Sequence, residues 1–270
     1  VILVCGDAMT DRYTWGAVKR ISPDAPVPVV SVEREEYREG AAWNVANNII
    51  AMGAECMRLT GLGNPIIKHR IIGKGQHVVR VDYDYPQSPV SQEEFYPIVE
   101  DLCDTVVFCD YGKGSLSGIG ELIATARRAG CRTLIDPKGH DWEKYRGCDV
   151  IKPNVDEMRA LVGGWSSMDE LRDKAVNARA QYGISAILVT MADDGMMLID
   201  RYGTSVFPAE AENVCCVSGA GEAVIAALAV GLSEGRSLSE SARLSAKAAA
   251  VACSRFGTTV VSRQEVFGDR

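Results

Sequence analysis

The stretch Asp104–Lys152, DTVVFCDYGKGSLSGIGELIATARRAGCRTLIDPKGHDWEKYRGCDVIK, decides the fold. It holds three short β-branched runs, Asp104–Asp110, Cys131–Asp136 and Cys148–Lys152, with an amphipathic helical pattern over Gly118–Ala129 between the first two. Runs that stay apolar at successive positions bury both faces, as strands of a parallel sheet covered by helices do. The form recurs in VILVCGD at the start and in Ile184–Thr190, with helical patterns at Ala42–Met52, Gln92–Leu102, Val155–Val162 and Met168–Tyr182. The expectation is an α/β fold built on a doubly wound, mostly parallel sheet, with ligands at the carboxyl ends of its strands.

Two segments break this rhythm. Residues 27–37 and 66–84 alternate apolar and polar, the second around a Gly-Lys-Gly turn, which predicts a small antiparallel β lid, or else an edge hairpin. Nothing else calls for a second domain, so 1–270 reads as one domain carrying that lid. Farther on, CCVSGAGEAVIAALAVGLSEG runs from a small-residue turn into an apolar helix. A second, alanine-rich helix from Ser239 to about Phe256 follows and ends at Gly257.

Composition narrows the function. With 29 basic against 36 acidic residues the formal charge is −7, which argues against a nucleic-acid partner and for small-molecule chemistry. The longest apolar run, Ala223–Leu232, falls well short of the roughly 20 residues that span a bilayer, so no membrane partner is expected. The nine cysteines form no C-x-x-C pair and the three histidines no metal spacing. With no signal-peptide pattern in VILVCGD, the expectation is a cytoplasmic protein with reduced thiols.

Several strand and helix ends carry groups able to do chemistry. Gly219-Ala220-Gly221 at a helix mouth lets backbone N–H groups converge at the positive end of the dipole, which suits a phosphate or an oxyanion; close helix packing would use the same small residues. Glu222 beside that turn could take a proton from an attacking hydroxyl, or simply favour the dipole. Gly40 and Asn44 open another helix, and Asp7 and Asp11 follow the first strand. Asp110 with Lys113, and Asp136 with Lys138, put a cation near a buried strand's end, where a substrate phosphate or a tight turn would be served equally. Asn154 and Glu157 share a helix face after Pro153 and could organise hydrated Mg²⁺ or form a capping box.

In this order the pieces GDAMTDRYTWG, RISPDAPVPVVSVEREEYREGAAWNVANNIIAMGA, KHRIIGKGQHVVRVDYD, DYGKGSL, LIDPKGHDWEKYRG, KPNVDEM, the G-A-G turn and FGTTVVS resemble the PfkB/ribokinase superfamily of sugar kinases. ISPDAPVPVV and DYGKG followed by DPKG resemble one branch, the D-glycero-β-D-manno-heptose 7-phosphate kinases, which also occur as the kinase half of bifunctional ADP-heptose synthesis proteins. The resemblance implies a ribokinase-like fold, ATP and Mg²⁺ as cofactors, and transfer of the γ-phosphoryl group to a sugar's anomeric hydroxyl. It implies that Asp11, Gly40 and Asn44 hold sugar hydroxyls, and that Lys68, Gln76 and Arg80 on the lid strands, with Lys113 and Lys138, are candidates for the sugar phosphate; Asp110 is a further substrate-binding candidate. Asn154, Glu157, Thr190, Gly195 and Lys247 fall on the nucleotide side, with Asn154 and Glu157 toward Mg²⁺. Gly219, Ala220 and Gly221 form the anion hole, and Glu222 stands where the family carries its catalytic aspartate. The partners implied are a phosphorylated sugar, a second copy through the lid, and a fused or separate nucleotidyltransferase.

The chain departs from that pattern at Trp43 (alanine in the branch), Cys216 (an acid), Glu222 (aspartate), Ala223 (threonine) and Lys247 (asparagine). A kinase-derived binding or sensing domain, or a kinase of another sugar or nucleoside, is the competing reading. Gly61–Asn64 also runs straight into Pro65, where the branch has a βα unit. Its loss would unpair a buried strand, so missing residues are expected there.

Overall fold

The computed structural model describes residues 1–211 and 214–268. Eight strands form the main sheet: β1 (Ile2–Gly6), β4 (Cys56–Leu59), β7 (Thr105–Cys109), β8 (Arg132–Asp136), β9 (Val150–Ile151), β10 (Ala186–Thr190), β11 (Met196–Asp200) and β12 (Gly203–Phe207), in spatial order β12-β11-β10-β9-β8-β7-β1-β4. From β4 to β10 every pairing is parallel; β11 and β12 continue antiparallel at the edge. Strand order reverses at β1, which has β4 on one side and β7 on the other, so the crevice beside β1 is where a ligand belongs in an open α/β sheet.

Alternation along the strands explains the two helical layers. Ile2, Val4, Val107, Leu134 and Leu188 point to one face and pack against α1 (Ala42–Ala51), α6 (Ala220–Ser233), α7 (Leu238–Cys253) and α8 (Arg263–Phe267). Leu3, Cys5, Val106, Phe108, Ile135 and Ile187 point to the other, against α2 (Gln92–Asp101), α3 (Ile119–Arg128), α4 (Val155–Val162) and α5 (Met168–Gln181). Each fully buried Leu or Ile contributes about 1.5–3 kcal/mol of hydrophobic stabilisation. Helix α6 is buried all round, and a Cβ added at Gly231 would lie 2.6 Å from Ser241 Oγ on α7, so small residues there do serve close helix packing.

A second sheet, in order β3-β2-β5-β6, is made of β2 (Ala8–Ile21), β3 (Pro28–Ala41), β5 (Ile67–Gly73) and β6 (Gln76–Tyr83). It is mixed rather than wholly antiparallel: β2 and β5 run parallel. The cause is topological, since β2 follows β1 and β5 follows β4, and β1 and β4 are parallel neighbours that deliver the chain to the same edge. Strand β2, which the alternation did not single out, is the centre of this sheet and pairs with β3 over most of its length.

The expected loss of a buried partner at Asn64–Pro65 is not met. Strand β4 is the half-buried edge of the main sheet, hydrogen-bonded to β1, and residues 60–66 carry the chain directly into β5. That connection is held by Ser88, whose N–H and hydroxyl donate to the Leu62 carbonyl at 2.7 Å each, and by Gln87 Nε2 donating to the Asn64 carbonyl at 2.9 Å.

Candidate active site

At the carboxyl ends of β8 and β9 lies a buried ion pair, Asp136 Oδ1 to Lys152 Nζ at 2.9 Å, with the Tyr111 hydroxyl donating to Asp136 Oδ2 at 2.9 Å. Over it sits the start of α6. Gly219 precedes this helix in the left-handed region (φ 86°), which favours glycine, and no side chain caps the helix. A Cβ on Gly221 would stand 3.4 Å from Lys152 Nζ, so the lysine's charge lies against the helix mouth. The half-buried Glu222 in that first turn has its carboxyl pushed up to about 7, by burial first and then by Asp136; Lys152 and a backbone N–H work the other way.

Beside this mouth, Asp11 on β2 is buried, accepting from the Thr258 hydroxyl and pairing with Arg70 of β5. Gly40 on β3 must lack a side chain, because a Cβ would come within 2.6 Å of Asp11 Oδ2. Asn44 on α1 is 1% exposed; its Oδ1 accepts from Asn48 Nδ2 at 3.1 Å. Its Nδ2 has no hydrogen-bond partner among the described residues and faces the Gly219 position, 3.3 Å from where a Cβ would be. A buried amide left unsatisfied is costly, so this donor marks a place built for an acceptor. Trp43 shares the other face of α1 with Asn47, and Arg58 of β4 lies 5.4 Å over its ring.

The strand-end loops divide into braces and cations. Asp7 is turned inward, accepting from the N–H groups of Tyr111, Lys113 and Ser115 at 2.9–3.1 Å. Asp110 accepts from the Tyr145 hydroxyl (2.7 Å), Lys144 Nζ (2.6 Å) and the Gly112 N–H (3.0 Å), bonds that shape the loop carrying Lys113. Lys113 and Lys68 do converge, both on Asp84, at 2.8 and 2.9 Å. Lys68 also meets Asp82 at 3.0 Å, as does Arg80 at 2.9 Å. Lys138 is exposed on the neighbouring loop. Gln76 is not brought to this group: it pairs with Gly73, at the far end of β5 from Lys68, about 16 Å away at roughly 3.3 Å per residue.

On the remaining side, Asn154 and Glu157 form a reciprocal capping box on α4, each N–H donating to the other's side chain at 2.9 Å. Burial and Asp136 raise the Glu157 carboxyl. Thr190 ends β10, where its backbone bridges to Asn154. Gly195 has φ 81°, and a Cβ there would strike the Phe207 carbonyl at 2.1 Å, so packing alone demands glycine. Lys247 is half-buried on α7. Among the described residues no three His, Cys, Asp or Glu side chains are grouped to hold a metal.

A family model described as pfkB family carbohydrate kinase matches residues 115–265, from the loop after β7 to α8. The chain is 36% identical over 298 residues to a D-beta-D-heptose 7-phosphate kinase of Bordetella bronchiseptica, covering 99% of this chain and 95% of that one. It belongs to the pfkB family of carbohydrate kinases.

This pfkB kinase is also 35% identical to the bifunctional protein HldE of Escherichia coli, of which it spans 62%. The Bordetella match takes in 298 aligned positions against the 270 residues present here. Phosphofructokinase-2 of Escherichia coli superposes with a TM-score of 0.81 at 17% identity (99% and 97% of the two chains), and Arabidopsis thaliana ribokinase with 0.80 at 18% (99% and 97%). The fold is therefore ribokinase-like. Arg70, Lys152 and Thr258, central to the geometry, were not singled out in the sequence. Arg70 and Thr258 lie 59 and 247 residues from the Asp11 they hold, and Lys152 stood only as the last residue of a strand-like run.

Proposed function

We propose that this chain is an ATP-dependent kinase of heptose 7-phosphate, phosphorylating the anomeric hydroxyl. One observation carries the reading: the unpartnered buried Asn44 Nδ2 lies beside Gly219, so a polyol-reading group, an acid and an uncapped helix mouth adjoin one another. The names of the relatives supply the sugar.

In the proposed reaction Asn44 and Asp11 hold the sugar's hydroxyls and the anomeric oxygen attacks the γ-phosphorus. Its proton passes to Glu222 while the bond to the ADP oxygen breaks. The N–H groups of Ala220 and Gly221, with Lys152 behind them, meet the charge that develops on the transferred group. Thr190, Gly195 and Lys247 line the nucleotide side. Asn154 and Glu157 would hold Mg²⁺ through water. The capping box takes the side-chain oxygen of Asn154 and one of the two of Glu157, which suits an ion that keeps most of its waters and is carried by the phosphates. When bound, Mg²⁺ neutralises the phosphate oxygens.

The whole chain serves as one kinase domain, with the smaller sheet as its lid. The outward row Val79, Val81 and Tyr83 on β6 is 37–46% exposed and is proposed as the face of a homodimer. The part of HldE this chain does not span makes a nucleotidyltransferase the proposed partner, in the cytoplasm. The nine cysteines are free, and among the described residues no helix is long and apolar enough to cross a membrane.

Incubating the protein with ATP, Mg²⁺ and heptose 7-phosphate should yield the bisphosphate, and Glu222→Gln should abolish it. The second reading, a binding or sensing domain, is favoured by Glu222 itself. Its extra methylene displaces the carboxylate, and a displacement of about 1 Å can cost on the order of 10² in rate. An inactive parent rescued by Glu222→Asp would decide for that reading.

A further inference from the structure

Three of the cations assigned to the sugar phosphate are already neutralised. Lys68 on β5 and Lys113 on the loop after β7 both grip the Asp84 carboxylate, at 2.9 and 2.8 Å; Lys68 and Arg80 also grip Asp82. The two acids differ in place. Asp82 lies within β6 and pairs inside the smaller sheet. Asp84 lies just past the end of β6 and joins the two sheets: one oxygen takes the lid lysine and the other the body lysine. It is also the more exposed, 42% against 28%. The backbone holds it in place, since the Gln87 N–H donates to the Lys113 carbonyl at 2.8 Å and Gly114 is packed against Gln87.

We propose that Asp84 is an internal stand-in for the substrate's phosphate, a specificity-determining carboxylate that occupies Lys68 and Lys113 until a phosphorylated sugar displaces it. This rests on the kinase reading above and on its assignment of those lysines. The chemistry of displacement favours a phosphate. A phosphate monoester brings a charge of about −1.5 to −2 and three acceptor oxygens, against one charge and two oxygens for the carboxylate. An unphosphorylated sugar offers the lysines only neutral hydroxyl oxygens, which do not compete with a carboxylate, and leaves the latch shut. Asp84 thereby converts a pair of cations that would attract any anion into a site that opens for a dianion, and the phosphate then takes over the bridge between lid and body. If the carboxylate holds the lysines about nine-tenths of the time, it weakens an external phosphate about tenfold.

The test measures binding of inorganic phosphate and of heptose 7-phosphate by calorimetry to the parent, Asp84→Asn, Asp84→Ser and Lys68→Met/Lys113→Met, with melting temperature as a folding control. The expected result is about tenfold tighter phosphate binding in both Asp84 variants, loss of binding in the double lysine variant, and a smaller preference of the Asp84 variants for phosphorylated over unphosphorylated heptose. Unchanged or weaker binding in folded Asp84 variants, with binding still lost in the lysine variant, would overturn the stand-in while leaving the phosphate site intact. Phosphate binding that ignores the lysines as well would overturn the site assignment and this inference with it.

Discussion

Glu222 carries its carboxyl near pH 7 because burial and Asp136 both penalise its charge, and that fixes two measurable profiles. As a proton acceptor it must be ionised, so kcat/KM should rise with pH along a limb centred at about 7, a limb that disappears in Glu222→Gln together with turnover. Stability runs the opposite way. Between the ordinary value of 4.5 and about 7 the folded state binds the proton that the unfolded state has released, so stability falls as pH climbs through that window. Thermal melts should therefore show Glu222→Gln gaining on the parent at pH 8 and losing that advantage by pH 4; a constant difference would mean the residue titrates normally. The acid was legible beside a G-A-G turn. The charges that shift its pKa, Asp136 upward and Lys152 downward, were not, because both reach it only through the stacking of strand ends on a helix mouth.

At the scale of elements, α6 reconciles the two uses of small residues that its sequence left open. Gly231 is there for α7, whereas Gly219 is there for its left-handed backbone and for Asn44. Gly219→Ala should cost about 1 kcal/mol of stability from backbone strain, read from denaturant melts. It should also lower kcat by more than it raises the KM for heptose phosphate, since the new methyl pushes on Asn44 and tilts the amides that follow. An effect confined to stability would remove the turn from the chemistry. The main-sheet strands and their helices were readable because a strand buried on both faces is a bare β-branched run. Strand β2 was not, because its letters AMTDRYTWGAVKRI mix functional and apolar positions on a half-exposed sheet. Edge strand β4, four residues long and half-buried, carries equally little pattern.

The whole molecule works as two sheets clasped over one crevice, and the clasp has two hands. One is the Asp84 bridge; the other is the C-terminal loop. There Arg38 on β3 donates through Nη1 to the carbonyls of Phe256 (2.9 Å) and Thr258 (2.8 Å), and Tyr13 and Trp15 of β2 pack on the Phe256 ring. This second hand holds Thr258 where it bonds Asp11, so under the proposed function lid position and sugar binding would depend on the same contacts. Arg38→Ala deletes both carbonyl bonds without touching the substrate. Its expected effect is a lid that seats poorly: a KM for the sugar raised about tenfold, and ATP hydrolysis without sugar phosphorylation increased relative to productive transfer, because a loose lid admits water to the γ-phosphate. The two products are counted separately, as free phosphate and as sugar bisphosphate. A KM increase with no change in their ratio would mean that the smaller sheet positions the sugar but does not exclude water.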